Sequence, residues 1–254
     1  ALLSDAGHNL SDVISLVLAL LAFRMAKVKP NSRYTYGYKK STVLVSLLNA
    51  IILLVAVGII LAESIEKLRN PQPIAGGVIA WVAGVGILIN AFTAFLFLKD
   101  KERDLNIKGA YLHLMADALV SVGVVISGVI ISYTHWYIID PIIGIAIAIV
   151  ILVSTWNLLR DSLRLSLDGV PAGISAEKIR KLLLQVDGVR EIHHLHIWAL
   201  STTQNALTAH VVVASLEDGE AVKNRIKEIL SEEHIPHATL ELETVAECCT
   251  DRTD

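Results

Sequence analysis

Cysteine is almost missing from this chain: among 254 residues there are two, adjacent at Cys248 and Cys249 near the C-terminal end. Neighbours in sequence cannot staple distant segments, so no disulfide framework exists, and the pair fits a reducing compartment or a metal-binding tail. A basic excess is missing too. Lys and Arg number 22 against 25 Asp and Glu, for a formal net charge of -3, and no long basic block occurs, which argues against a nucleic-acid partner. There is no His-Glu-x-x-His and no long histidine-rich loop. The first absence removes the usual metallohydrolase base. No initiator Met or basic segment precedes the first apolar run, so residues 1 to 25 do not read as a signal peptide.

What the chain has in abundance is apolar length. Hydrophobic residues make up 54% and charged residues 19%, and the mean hydropathy is +0.57; this is the composition of a membrane protein. Five stretches approach or exceed the roughly 20 residues a helix needs to cross a bilayer: Ala1 to Met25, Ser41 to Ile65, Pro73 to Leu98, Gly109 to Tyr133 and Trp136 to Leu159. The first loop carries Arg24, Lys27, Lys29, Arg33, Lys39 and Lys40, and the third Lys99, Lys101, Arg103 and Lys108. Positive loops face the cytoplasm, which leaves the C-terminal part cytoplasmic and residue 1 outside. That parity predicts one further helix ahead of Ala1.

Charge inside the spans is confined to Asp5, His8, Asp12, His113, Asp117 and Asp140, with Glu63 near an end. Ionisable groups in a bilayer are costly and mark function. His8 and Asp12 share a His-x-x-x-Asp spacing with His113 and Asp117, and residues four apart stack on one helix face. Two such helices packed together offer four N/O ligands, a tetrahedral zinc-type set. The first and fourth spans run antiparallel, so a common level requires the fourth to start earlier than its apolar run, near Glu102, pairing His8 with Asp117 and Asp12 with His113. Asp140, before Pro141, reads more simply as a helix-start residue than as a ligand.

Past Leu159 the texture changes. A short linker is expected through Arg160 to Arg164, with the membrane domain at 1–160 and a cytoplasmic metal-binding and dimerisation domain at 161–254. The tail reads α-β-β-α-β: a helix over Ile174 to Val186, strands over Glu191 to Leu200 and Ala206 to Ala214, a helix over Asp218 to Glu233 and a strand over Ala238 to Val245. Helices on one face of a small antiparallel sheet make an α+β domain. Six of the nine histidines lie here, at His193, His194, His196, His210, His234 and His237. Together with Glu241, Glu243, Cys248 and Cys249 they are candidates for one or two further metal sites. Strand alternation puts His194 and His196 on one face and His193 on the other.

These motifs resemble the cation diffusion facilitators, proton-coupled exporters of zinc and similar divalent metals. The likeness spans nearly the whole chain and rests on Leu3-Ser4-Asp5-Ala6-Gly7-His8-Asn9-Leu10-Ser11-Asp12, Tyr34-Thr35-Tyr36-Gly37-Tyr38, His113-Leu114-Met115-Ala116-Asp117, Asp140-Pro141, His194-Leu195-His196-Ile197-Trp198 and Ala206-Leu207-Thr208-Ala209-His210. It implies six transmembrane helices, of which the first is lacking here, a metallochaperone-like cytoplasmic domain and a homodimer joined through it. It also implies that His8, Asp12, His113 and Asp117 are the transport ligands, in the version typical of the zinc-preferring branch. Tyr38 and Thr42 stand where some members carry a histidine and an acid. Lys40 and Asp168 match positions that form an interlocking charge pair.

Imidazole and carboxylate together suit zinc, with cadmium and cobalt next, better than magnesium or calcium. An empty histidine site holds a proton that metal displaces, so cation–proton exchange follows from competition. The expected function is zinc export from the cytoplasm across a bacterial inner membrane in exchange for protons, by alternating access. The alternatives are a membrane-bound zinc sensor and an intramembrane zinc enzyme. Four protein ligands leave a metal no open position, which speaks against the enzyme.

Overall fold

The computed structural model describes residues 17–70 and 76–244. The chain divides into two compact units, one of Ala1–Met25 with Thr42–Ser162, the other of Ala26–Ser41 with Leu163–Asp254.

The first unit is helical: α1 (Val17–Ala26), α2 (Ser41–Arg69), α3 (Gly76–Phe97), α4 (Leu105–Thr134) and α5 (Ile139–Ser166). Of these, α2, α4 and α5 are long and apolar enough to cross a membrane. Helix α2 shows how they are built. Thr42, Ser46, Asn49, Leu53 and Val57 form a buried stripe, while Leu44, Leu48, Ile51, Val55 and Ile59 form an exposed one at the same helical period. An exposed stripe of that size would be untenable in water and is what lipid requires. The buried stripe meets α4 and α5: Val57, Ala116, Ala148 and Ile151 form one core cluster, and Ala50, Leu53 and Leu158 another. Close approach depends on Gly123, where a Cβ would fall 2.4 Å from Ile147 Cδ1, a small-residue contact of the kind that lets membrane helices pack.

Helix α4 begins earlier than its apolar run, close to the expected start. Asp104 is its N-cap and accepts a hydrogen bond from the Asn106 N–H at 2.7 Å. At the other end His135, with φ 57°, donates its backbone N–H to Ile131 O and stops the helix.

The expected linker at 160–164 is instead helical, since α5 runs on to Ser166. Asp161 accepts from Lys108 at 3.3 Å, and the Ser162 hydroxyl meets that of Ser46 in a buried contact at 2.7 Å. With Asp161 and Ser162 partnered and no helix breaker before Gly169, the segment has no reason to unwind. It ends where Asp168 turns to φ 56° and the Gly169 N–H bonds Arg164 O.

The second unit contains α6 (Ala176–Leu184), β1 (Val189–Ala199), β2 (Asn205–Val213), α7 (Gly219–Glu232) and β3 (His237–Thr244), in the expected α-β-β-α-β order. One feature differs from expectation: β1 and β2 are antiparallel, but β2 and β3 are parallel, so the sheet is mixed, in the order β1-β2-β3. The cause is the β2–α7–β3 crossover, whose helix carries the chain back to the end of the sheet where β2 began. Ile179 and Leu183 of α6 and Val222, Ile226 and Leu230 of α7 bury one sheet face together with Leu207, Ala209, Val211 and Val213.

The first loop folds with this unit. Asn31 Oδ1 accepts from the Arg33 and Tyr34 N–H groups at 2.9 Å, and the Gly37 N–H bonds Tyr34 O at 2.8 Å. Gly37 sits at φ 70° with a Cβ position 2.9 Å from Val28 O, so only glycine fits the Tyr-Gly-Tyr turn. Beside it, Lys40 Nζ lies 2.5 Å from Asp168 Oδ1 and 3.0 Å from Ala199 O, the charge pair that the family resemblance implied.

Candidate metal centres

In the membrane unit the described half of the predicted quartet is His113 and Asp117, one turn apart on the inward face of α4. Both are buried, and His113 Nε2 lies 3.8 Å from Asp117 Oδ2. They line a chamber of about 10 Å³ whose other walls include Leu53, Val57, Ile60, Val120 and Ile151. A carboxylate and an imidazole among such walls are shielded from competing water, so a cation reaching them meets stronger electrostatics than in solvent. His8 and Asp12 lie outside the described residues.

The cytoplasmic unit gathers a second set. The face of β2 opposite the helices carries Thr208 and His210, and parallel pairing sets Glu241 beside His210 in register. Glu243 is on the same face two residues further, since Leu240 and Leu242 between and beside them pack on the helix side. On β1, Ile192 and Ile197 both join the helix-side core. They are an odd number of residues apart, so strict alternation cannot place both there.

The strand resolves this with a bulge: His193 pairs with His210 and His196 with Thr208, three steps on β1 against two on β2, and His194 takes up φ 48°. This corrects the expected alternation. His193 and His194 stand side by side, their ring centroids 5.3 Å apart and 5.1 and 4.9 Å from that of His210.

Glu243 ties the cluster together. Its Oε1 lies 2.5 Å from His210 Nδ1 and its Oε2 3.2 Å from His193 Nε2. Ligand atoms of His193, His210 and Glu243 all fall within 4.8 Å of one another. His193 and Glu243 are buried, while Glu241, 3.5 Å from His210 Nε2, is exposed. Two imidazoles and a buried carboxylate, with His194 alongside, match the donor preference of zinc.

The remaining candidates are elsewhere. His196 is exposed, its ring 6.4 Å from that of His194. His237 starts β3, four positions from Glu241, and meets Tyr36, with Nε2 3.5 Å from the phenol oxygen and the rings edge-on. His234 turns the chain after α7 at φ 63°, and Cys248 and Cys249 lie outside the described residues. Glu243 was one acid among several in the sequence. The signal that singles it out is the odd spacing of Ile192 and Ile197 combined with β3 parity.

Residues 1–165 match the family model of the cation efflux transmembrane domain, and residues 171–245 that of the cation efflux protein cytoplasmic domain. The chain belongs to the cation efflux family. Among its relatives, the "Cadmium, cobalt and zinc/H(+)-K(+) antiporter" of Bacillus subtilis (strain 168) is 36% identical over 251 residues, 97% of this chain and 81% of that one. "Zinc transporter ZitB" of Pectobacterium atrosepticum is 39% identical over 247 residues, 96% of this chain and 77% of that one. A solved structure, "Metal-bound C-terminal domain of the CzcD transporter from Cuprividus metallidurans", is 32% identical and covers 28% of this chain and 99% of that one, with a TM-score of 0.26. As a cation efflux protein, this chain is a helical membrane transporter with a small α/β cytoplasmic domain, and its family is one of transporters rather than enzymes.

Proposed function

We propose that the protein exports zinc, with cadmium and cobalt as further substrates, from the cytoplasm of a bacterial cell across the inner membrane in exchange for protons. The observation that carries this reading is the buried His113–Asp117 pair on α4 of a cation efflux protein. His8 and Asp12 complete its coordination from the first span, and the metal alternates access between the two sides as the helices rearrange. Zinc entering from the cytoplasm displaces protons from the empty quartet, and protons arriving from outside displace zinc. Relatives whose names include zinc transport and proton antiport support that choice of substrate and counter-ion.

The division of labour follows the sequence: residues 1–160 form the membrane domain and 161–254 the cytoplasmic one. His193, His194, His210 and Glu243 hold a regulatory zinc whose binding tightens a homodimer formed through the cytoplasmic domain, and that differential affinity biases the transport equilibrium. The match to a cytoplasmic dimer-domain model supports the assembly.

Zinc flux into proteoliposomes under an imposed pH gradient tests the function. Gradient-dependent flux that Asp117→Ala abolishes is the expected result. Zinc binding without flux in the parent protein would overturn it and leave a sensor, with the cytoplasmic cluster as its receptor.

A further inference from the structure

The outer ends of α2, α4 and α5 converge on one carboxylate. Asp140, in the first turn of α5, is 12% exposed; its Oδ2 accepts from Lys67 Nζ of α2 at 2.8 Å and its Oδ1 from the Ser127 hydroxyl of α4 at 2.9 Å. A first-turn carboxylate is stabilised by the helix dipole without help, so two partners from two other helices exceed what starting α5 requires.

Beneath this junction lies a cavity of about 100 Å³ bordered by Glu63, Ser64, Lys67, Val124, Asp140 and Ile143. Ile60 and Val120 line both this cavity and the chamber at His113 and Asp117. Along α4, Asp117, Val120, Val124 and Ser127 follow at helical spacing on one face, about 15 Å of rise from site to junction. The way outward from the transport site is therefore a buried pair, an apolar neck of two side chains, a cavity with an acidic wall, and an ion pair across its mouth.

We propose that Asp140 is the outer latch of the transport path: held by Lys67 and Ser127 it keeps the outer mouth shut, and release of Lys67 opens the cavity to the outside. This rests on the transport reading of His113 and Asp117. The latch also suits the traffic. While it is closed, Lys67 neutralises Asp140, so the mouth presents no net negative charge to draw a cation back in. Once it is open, Asp140 and Glu63 face the cavity as two carboxylates that draw a dication outward. Lys67, Glu63 and Ser64 from α2 and Ser127 from α4 are the polar groups that meet Asp140 or share its cavity among the described residues.

The test uses the full-length protein in right-side-out vesicles, with Cys248 and Cys249 replaced by Ser and a single reporter, Val124→Cys, in the cavity wall. A charged, membrane-impermeant thiosulfonate is added outside and the rate of labelling measured. Lys67→Gln should raise that rate about tenfold, a population shift in keeping with loss of one contact made in the closed state alone. The exchanged pair, Lys67→Asp with Asp140→Lys, should bring it back towards the parental rate.

Equal labelling in the parent and in Lys67→Gln, or no labelling in any form, overturns the proposal. So does an exchanged pair as reactive as Lys67→Gln, because the effect would then owe nothing to the ion pair. Labelling reports outer access whether or not metal moves. Absence of gradient-driven flux in the protein without substitutions would therefore indict the transport reading, while a labelling rate unchanged by Lys67→Gln beside intact flux would indict the latch.

Discussion

The two candidate centres use the same donors and are assembled by opposite means. His113 and Asp117 are four residues apart on one helix, and their proximity follows from helical pitch alone. His193, His210 and Glu243 come from three strands and meet only because one strand bulges and another returns parallel. The membrane pair sits among apolar walls, where there are few places for a cation to go but through. The cytoplasmic cluster sits on the sheet face away from the helices, with His193 and Glu243 buried and exposed Glu241 at its rim as the approach for metal from solution. A transport ligand must let go on each cycle, whereas a regulatory one need only report concentration.

The sharpest way to separate them is to disable one and read the other. Asp117→Ala is expected to lower gradient-driven zinc flux at least about 100-fold, since even outer-shell partners of metal ligands are worth roughly 10–100-fold. Calorimetry on the same variant should find the cytoplasmic zinc affinity unchanged. A parallel fall in that affinity would merge the two sites into one system.

The reciprocal change comes next in size. Introduced into the Asp117→Ala background, so that only the cytoplasmic set is read, Glu243→Gln should weaken zinc binding about 10–100-fold, because the carboxylate contacts both imidazoles. In an otherwise native chain the same change should lower flux only severalfold. Abolished flux would show that the cytoplasmic metal is obligatory for transport.

The bulge offers a smaller and more specific test. At φ 48°, His194 occupies a backbone region that β-branched residues avoid. His194→Val should therefore destabilise the cytoplasmic unit by about 1–2 kcal/mol, whereas His194→Gly should be within roughly 0.5 kcal/mol of the parent. Thermal unfolding of the metal-free protein measures both. Equal melting of the two variants would mean that the bulge carries no strain.

The smallest effect is expected at Lys40. Its pair with Asp168 is 35% and 66% exposed, and screening holds such pairs to about 1 kcal/mol or less. Lys40→Ala should barely shift the melting temperature. Lys40→Glu, which sets two like charges together, should reduce dimer assembly or transport if the pair also locks the assembly; unchanged values for both would dismiss that role.

How much of this was legible in the chain depends on the range of the interaction. The long apolar runs and the stacking of His113 on Asp117 are local consequences of hydrophobicity and helical periodicity, and the start of α4 ahead of its apolar stretch followed from setting two antiparallel motifs at one level. The order α-β-β-α-β was legible from local periodicity as well. The extension of α5 through 160–166 was not, because it depends on Lys108 and Ser46, both distant in sequence. Nor was the grouping of residues 26–41 with the C-terminal unit, since a loop's own turn chemistry does not say what it docks against.

Sequence alone determined that this chain enters a bilayer, that its buried charge is scarce, and that one imidazole and one carboxylate share a face of α4. Hydrophobicity and helical pitch act over a few residues, so they are written in consecutive letters. Tertiary structure alone decided which of six histidines and two glutamates meet in the cytoplasmic unit, and that Asp140 joins three helices rather than only starting one. Those outcomes turn on strand parity, crossover direction and the packing of residues far apart in the chain, which no local pattern encodes.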